Sequence, residues 1–221
     1  MATVTQTQST TAETTQQASG LTRLGRWLPL ALGIIAVALI LISTAFPYWR
    51  MTLLAPQYPG GLEMRVFVNY MTGDEDPKLD EVHEIDGLNH YIGMKSLYEA
   101  AQLERAIAIP AVFLMCVFVI IAAIWKARRA WLLAVPAIGF PFVYLADLGF
   151  WLTYYGQNLD PNAPLSSAIK PFTPPLLGEG VVGQFKTVAE VGTGWYLAVG
   201  AGVVVLVMII LKIRAQRETN A

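Results

Sequence analysis

Few residues in this 221-residue chain have the chemistry of a site, and most of them lie in one stretch. Both histidines, His83 and His90, fall between residues 47 and 105, with four of the six non-initiator methionines: Met51, Met64, Met71 and Met94. His90 and Met94 stand four apart, so they share a face if 88–105, LNHYIGMKSLYEAAQLER, is helical. Imidazole plus thioether is a soft ligand set that suits copper, Cu(I) above all. The bland alternative is that His90 packs at a corner and Met94 fills a gap, as methionine commonly does. The acids Asp74, Glu75, Asp76, Asp80, Glu81, Glu84 and Asp86 lack the spacing, central glycine and closing glutamate of a calcium loop. They read as a solvated face or a docking patch for a basic partner. Asp147 is the one ionisable residue well inside an apolar run. A carboxylate in lipid is costly, so it marks either a function or a hydrogen-bonded structural role.

Other chemistries are excluded. A single cysteine, Cys116, leaves no intrachain disulfide and no cysteine-based zinc or iron–sulfur site. There is no CxxCH motif, and neither histidine lies in an apolar run, which argues against haem in the bilayer. No phosphate-cradling glycine loop and no nucleophile–base pair stands out, so the chain is expected not to be an enzyme. Charged residues make up 14% of the chain and hydrophobic ones 55%, with mean hydropathy +0.49. A soluble domain carries about 25% charge. The net charge of −1 gives no field to recruit nucleic acid. An integral membrane protein remains, with the bilayer and a membrane or extracytoplasmic protein as partners.

Four runs approach the roughly 20 apolar residues a helix needs to cross a bilayer: 27–46, 106–125, 131–155 and 194–211. Pro136 and Pro141 should kink the third. The expected fold is an all-α membrane protein: four transmembrane helices with an extracytoplasmic cap containing a small β-hairpin and a helix. Residues 1–22 and 215–221 are expected as cytoplasmic tails, the first disordered, around a domain at 23–214 with outer loops 47–105 and 156–193. The tails and the 126–129 link hold eight basic and two acidic residues, against seven and thirteen in the outer loops. Positive charge stays inside, which puts both termini in the cytoplasm of a multi-pass protein of the inner (cytoplasmic) membrane. The first run exceeds a signal peptide's apolar core of about 7–15 residues, so it is read as an uncleaved anchor.

The outer loops must position the candidate residues. Pro59-Gly60 signals a turn. The stretch 62–71, LEMRVFVNYM, alternates as a half-buried strand; 72–78 is a turn; 79–86 suits a returning strand, broken by Gly87. The second loop has five prolines and four glycines in about 30 residues and reads as an extended cap. A lone hairpin is marginal, so 62–71 is expected to pack on 165–185.

The segments APQYPGGL (55–62), LNHYIGM (88–94), KPFTPPLLGEG (170–180) and QFKT (184–187) resemble a family of small four-span membrane proteins. Its members are accessory proteins of copper-dependent respiratory enzymes, notably those that mature nitrous oxide reductase. The resemblance covers roughly residues 45–200 and implies copper handling outside the membrane, with His90 and Met94 in the most distinctive motif. The rival expectation is a non-catalytic structural subunit of a respiratory or photosynthetic membrane complex. A third, less favoured, is a solute or proton path through Asp147.

Overall fold

Residues on either side of the apolar runs build more structure than the runs themselves announce. A computed structural model describes residues 27–74 and 80–218. The expected tail at 1–22 and part of the expected turn at 72–78 lie outside them. Helix α1 (Trp27–Ser43) leads through Tyr48 into a hairpin of β1 (Trp49–Ala55) and β2 (Tyr58–Val66), followed by a short β3 (Met71–Thr72). Helices α2 (Glu81–Ile92), α3 (Gln102–Ile124) and α4 (Val135–Gln157) come next. A second hairpin, β4 (Gly178–Val182) and β5 (Phe185–Val191), leads into α5 (Thr193–Glu218).

The all-α expectation is wrong. The five strands form one antiparallel sheet in the order β3-β2-β1-β5-β4. Three helical stretches, 102–124, 130–157 and 193–217, are long and apolar enough to cross a membrane, whereas α1 is a shorter apolar helix among the described residues. The molecule is therefore a membrane-type helix bundle carrying a substantial sheet, not a four-span all-α fold.

The sheet is centred where no strand was expected. In β1, Trp49, Met51, Leu53 and Ala55 alternate inward, a period of two that its position beside the first apolar run conceals. Its partners are β2, with Met51 opposite Met64, and β5, with Met51 opposite Ala189. The two outer loops thus join through β1 and β5, with Phe185 packed on the cluster that holds Leu62 and Met64. Pro56 and Gln57 form the first hairpin's turn, upstream of the expected Pro59-Gly60. The Trp49 indole donates to the Leu176 carbonyl at 2.6 Å, fastening the proline-rich loop to the sheet.

The segment expected as strand 79–86 is helical. Val82, Ile85 and Ile92 are buried at helical spacing, and the Asp80 side chain caps the first turn by accepting from His83 N. Gly93 ends α2 at φ 84°, a left-handed cap that glycine adopts without strain. The acidic run is largely structural. Glu81 accepts from the backbone N–H groups of Glu63 and Asp74. Glu84 accepts from Tyr58 Oη at 2.5 Å, and Asp86 from Ser96 Oγ and Leu97 N.

Sheet and bundle meet at a tight junction. A Cβ on Gly192 would lie 2.1 Å from the Pro47 carbonyl oxygen; the bare backbone instead donates from Gly192 N to Tyr48 O at 2.8 Å. Tyr48 is fully buried against Tyr144 and Phe140, its hydroxyl 2.6 Å from Ser43 Oγ. Burial pushes its hydroxyl pKa up to about 12. At the far end of the bundle, Lys212 of α5 donates to the carbonyls of Ala122, Ala123 and Trp125, which no α3 N–H remains to satisfy.

Candidate functional site

A cavity of about 330 Å³ lies between the underside of the sheet and the adjoining ends of α3 and α4. It exists because α4 packs mainly on α5 and touches α3 little. The sheet supplies Trp49, Met64, Val66 and Met71; the adjoining segments supply Phe67, Tyr70 and Met94; α3 supplies Glu104, Arg105 and Ile107; α4 supplies Tyr144, Asp147 and Trp151. Its walls are overwhelmingly apolar.

Sheet register explains the methionines. Val66 faces Met71 across β2 and β3, and Met64 lies two residues before Val66, so on the same face. Met64 and Met71 are diagonal neighbours, within reach of long side chains. Met94 joins them from beyond α2.

The polar tips of several aromatics are engaged elsewhere. Trp49 donates to Leu176 O, and Tyr144 Oη donates to the Val66 and Phe67 carbonyls at 3.3 and 3.5 Å. The Arg105 guanidinium donates to the Asn69 and Tyr98 carbonyls at 3.3 and 3.4 Å. Neither Glu104 nor Asp147 forms an ion pair within 4.0 Å among the described residues. The buried indole N–H of Trp151, one turn beyond Asp147, has no hydrogen bond of good geometry.

The three residues singled out in the sequence are divided by the structure. Met94 and Asp147 line the cavity; His90 does not and is exposed. The expected shared helical face of His90 and Met94 does not form, because α2 stops at Ile92 and Gly93 turns the chain before Met94. Among the described residues, no three His, Cys, Asp or Glu side chains are grouped to hold a metal. Glu104 was passed over in the sequence; its place in the first turn of an apolar helix was the available signal. No family model matches the chain, and no curated protein matches it either.

Proposed function

We propose that the protein is a non-enzymatic accessory component of a membrane whose outer cap holds Cu(I) for a copper-dependent partner. The observation that carries this reading is the convergence of Met64, Met71 and Met94 on one cavity. Thioether sulfur is a soft, uncharged donor that favours Cu(I). The resemblance of 55–62 and 88–94 to copper-enzyme accessory proteins points the same way. The sheet faces the extracytoplasmic side. The opposite end, which carries Lys126, Arg128, Arg129, Lys212, Arg214 and Arg217, faces the cytoplasm by the positive-inside rule. His90 plays no part in the thioether set and remains open to a docking partner.

The test is a Cu(I) competition titration of the purified full-length protein in uncharged detergent. M64L/M71L/M94L should lose at least tenfold in affinity, leucine keeping the volume but not the sulfur. H90A should stay within about twofold. Affinity should hold between pH 7 and pH 5, since thioethers do not titrate, whereas a histidine ligand would weaken as it protonates near 6.5. Undiminished binding by the triple variant overturns the reading. A structural-subunit role is the second reading, favoured by the β4 edge, where Leu177 and Val181 are 52% and 71% exposed.

A further inference from the structure

The cavity is far larger than a metal ion needs and falls within the roughly 300–1,000 Å³ of small-molecule sites. We propose that it binds an amphiphile with a cationic amine head, entering sideways from the outer leaflet between α3 and α4. This inference rests on the orientation proposed above but is independent of copper.

Three observations carry it. The first is the mouth. Ile107 on α3 and Val143 on α4 both line the cavity, yet are 52% and 66% exposed. Both belong to helices apolar enough to cross the membrane, so this opening faces acyl chains. Ile107 lies about 8 Å along α3 from its start at Gln102, which sets the opening just below the cap. A molecule dissolved in the leaflet reaches the site without passing through water.

The second is charge. Asp147 and Glu104 bring two carboxyls to an apolar chamber, and neither has an ion-pair partner among the described residues. Arg105, the cation beside them, donates to the Asn69 and Tyr98 carbonyls and forms no ion pair with either acid. Carboxylates without a counter-ion in apolar surroundings are costly, and an entering ammonium offsets that cost. An anionic head would meet repulsion instead.

The third is the aromatic wall. Tyr144 and Trp151 line the chamber with Trp49 packed behind them, while the indole N–H of Trp49 and the hydroxyl of Tyr144 bond backbone carbonyls. Aromatic faces attract alkylammonium groups, most strongly where water is excluded. Methionines Met64, Met71 and Met94 supply adaptable apolar surface for a chain of varied shape.

Such a head occurs both on free amphiphilic amines and on amine-bearing lipids. The probes are dodecyltrimethylammonium, dodecanol, dodecyl sulfonate and lysophosphatidylethanolamine, titrated into the full-length protein in uncharged maltoside micelles and read by tryptophan fluorescence. Dodecyltrimethylammonium should bind saturably and at least tenfold more tightly than dodecanol, with the sulfonate weakest. Lysophosphatidylethanolamine matching the ammonium would identify a lipid headgroup as the natural source; a weaker response would identify a free amine. D147N and E104Q, which preserve shape, should each reduce the ammonium preference, and V143F at the mouth should weaken every probe that binds. Equal binding of ammonium, alcohol and sulfonate, or an ammonium preference untouched in both carboxamide variants, overturns the proposal. Since the methionine variants test copper separately, failure of either idea leaves the other standing.

Discussion

The bundle and the cap are both packed interiors, built from opposite materials. Where the helices meet, most of the fully buried residues are small: Ala36, Ala122, Ala134 and Ala201, with Val119 and Val205; Ile40 and Met208 are the large ones. Large apolar side chains point outward, Phe113, Phe142 and Val143 among them at 59%, 58% and 66% exposure. In the cap the arrangement reverses: Trp49, Leu62, Met64 and Ile85 fill the inside. The difference follows from the solvent each region faces. Lipid gives no hydrophobic drive for helices to bury large side chains, so close backbone approach decides the packing. Water does give that drive, so the cap buries its bulk.

The sharpest way to break the comparison is at the junction, which both regions share. Gly192→Val would set side-chain atoms against the Pro47 carbonyl. The expected cost is about 3 kcal/mol or more, read as a collapse of the melting temperature in detergent. Within the cap, Trp49→Ala empties a fully buried site and removes the bond to Leu176. A loss of about 3–5 kcal/mol is expected, with proteolysis of the 156–177 loop as the local readout. In the bundle the damaging change runs the other way. At Gly33 a Cβ would already be 3.0 Å from Ala123 Cβ, so Gly33→Leu should cost about 1–3 kcal/mol by overpacking. If Gly33→Leu proves neutral, the bundle does not depend on small residues.

The fourth prediction concerns pH. The Tyr48 hydroxyl is held neutral in the folded protein to about pH 12, against 10.0 for the free group. Its contribution is therefore complete below pH 10 and is lost as pH rises from 10 towards 12. Thermal stability should fall across that window in the wild type and fall less steeply in Tyr48→Phe. The smallest effect is expected for Tyr58→Phe, which removes the 2.5 Å bond to Glu84 on α2; a slight drop in melting temperature should follow.

How far the sequence could be read also divides along this line. Helices emerge at all four apolar runs because an unbroken run of about 20 apolar residues admits few other structures in lipid. The sheet was hidden because β1 and β5 abut those runs. WRMTLLA reads as the tail of a span, and FKTVAEV as the approach to one. LDEVHEID alternates well enough for a strand, and only Asp80 as a cap and Gly93 as a stop betray the helix between them. Of the candidate site, Met94 and Asp147 were legible from residue type alone. Their meeting with Glu104 was not, since it depends on the divergence of α3 from α4, which no local pattern encodes.

The order of the strands bears on how the protein is made. β1 sits at the centre of the sheet, but its neighbour β5 is synthesised more than 130 residues later. At about 5–20 residues per second, β1 waits on the order of ten seconds with one edge unpaired, while α3 and α4 enter the membrane. An unpaired central edge invites pairing with another chain. A nascent chain stalled between α4 and β5 is thus the species most prone to aggregate, and release of the last helix is the event that ends the hazard.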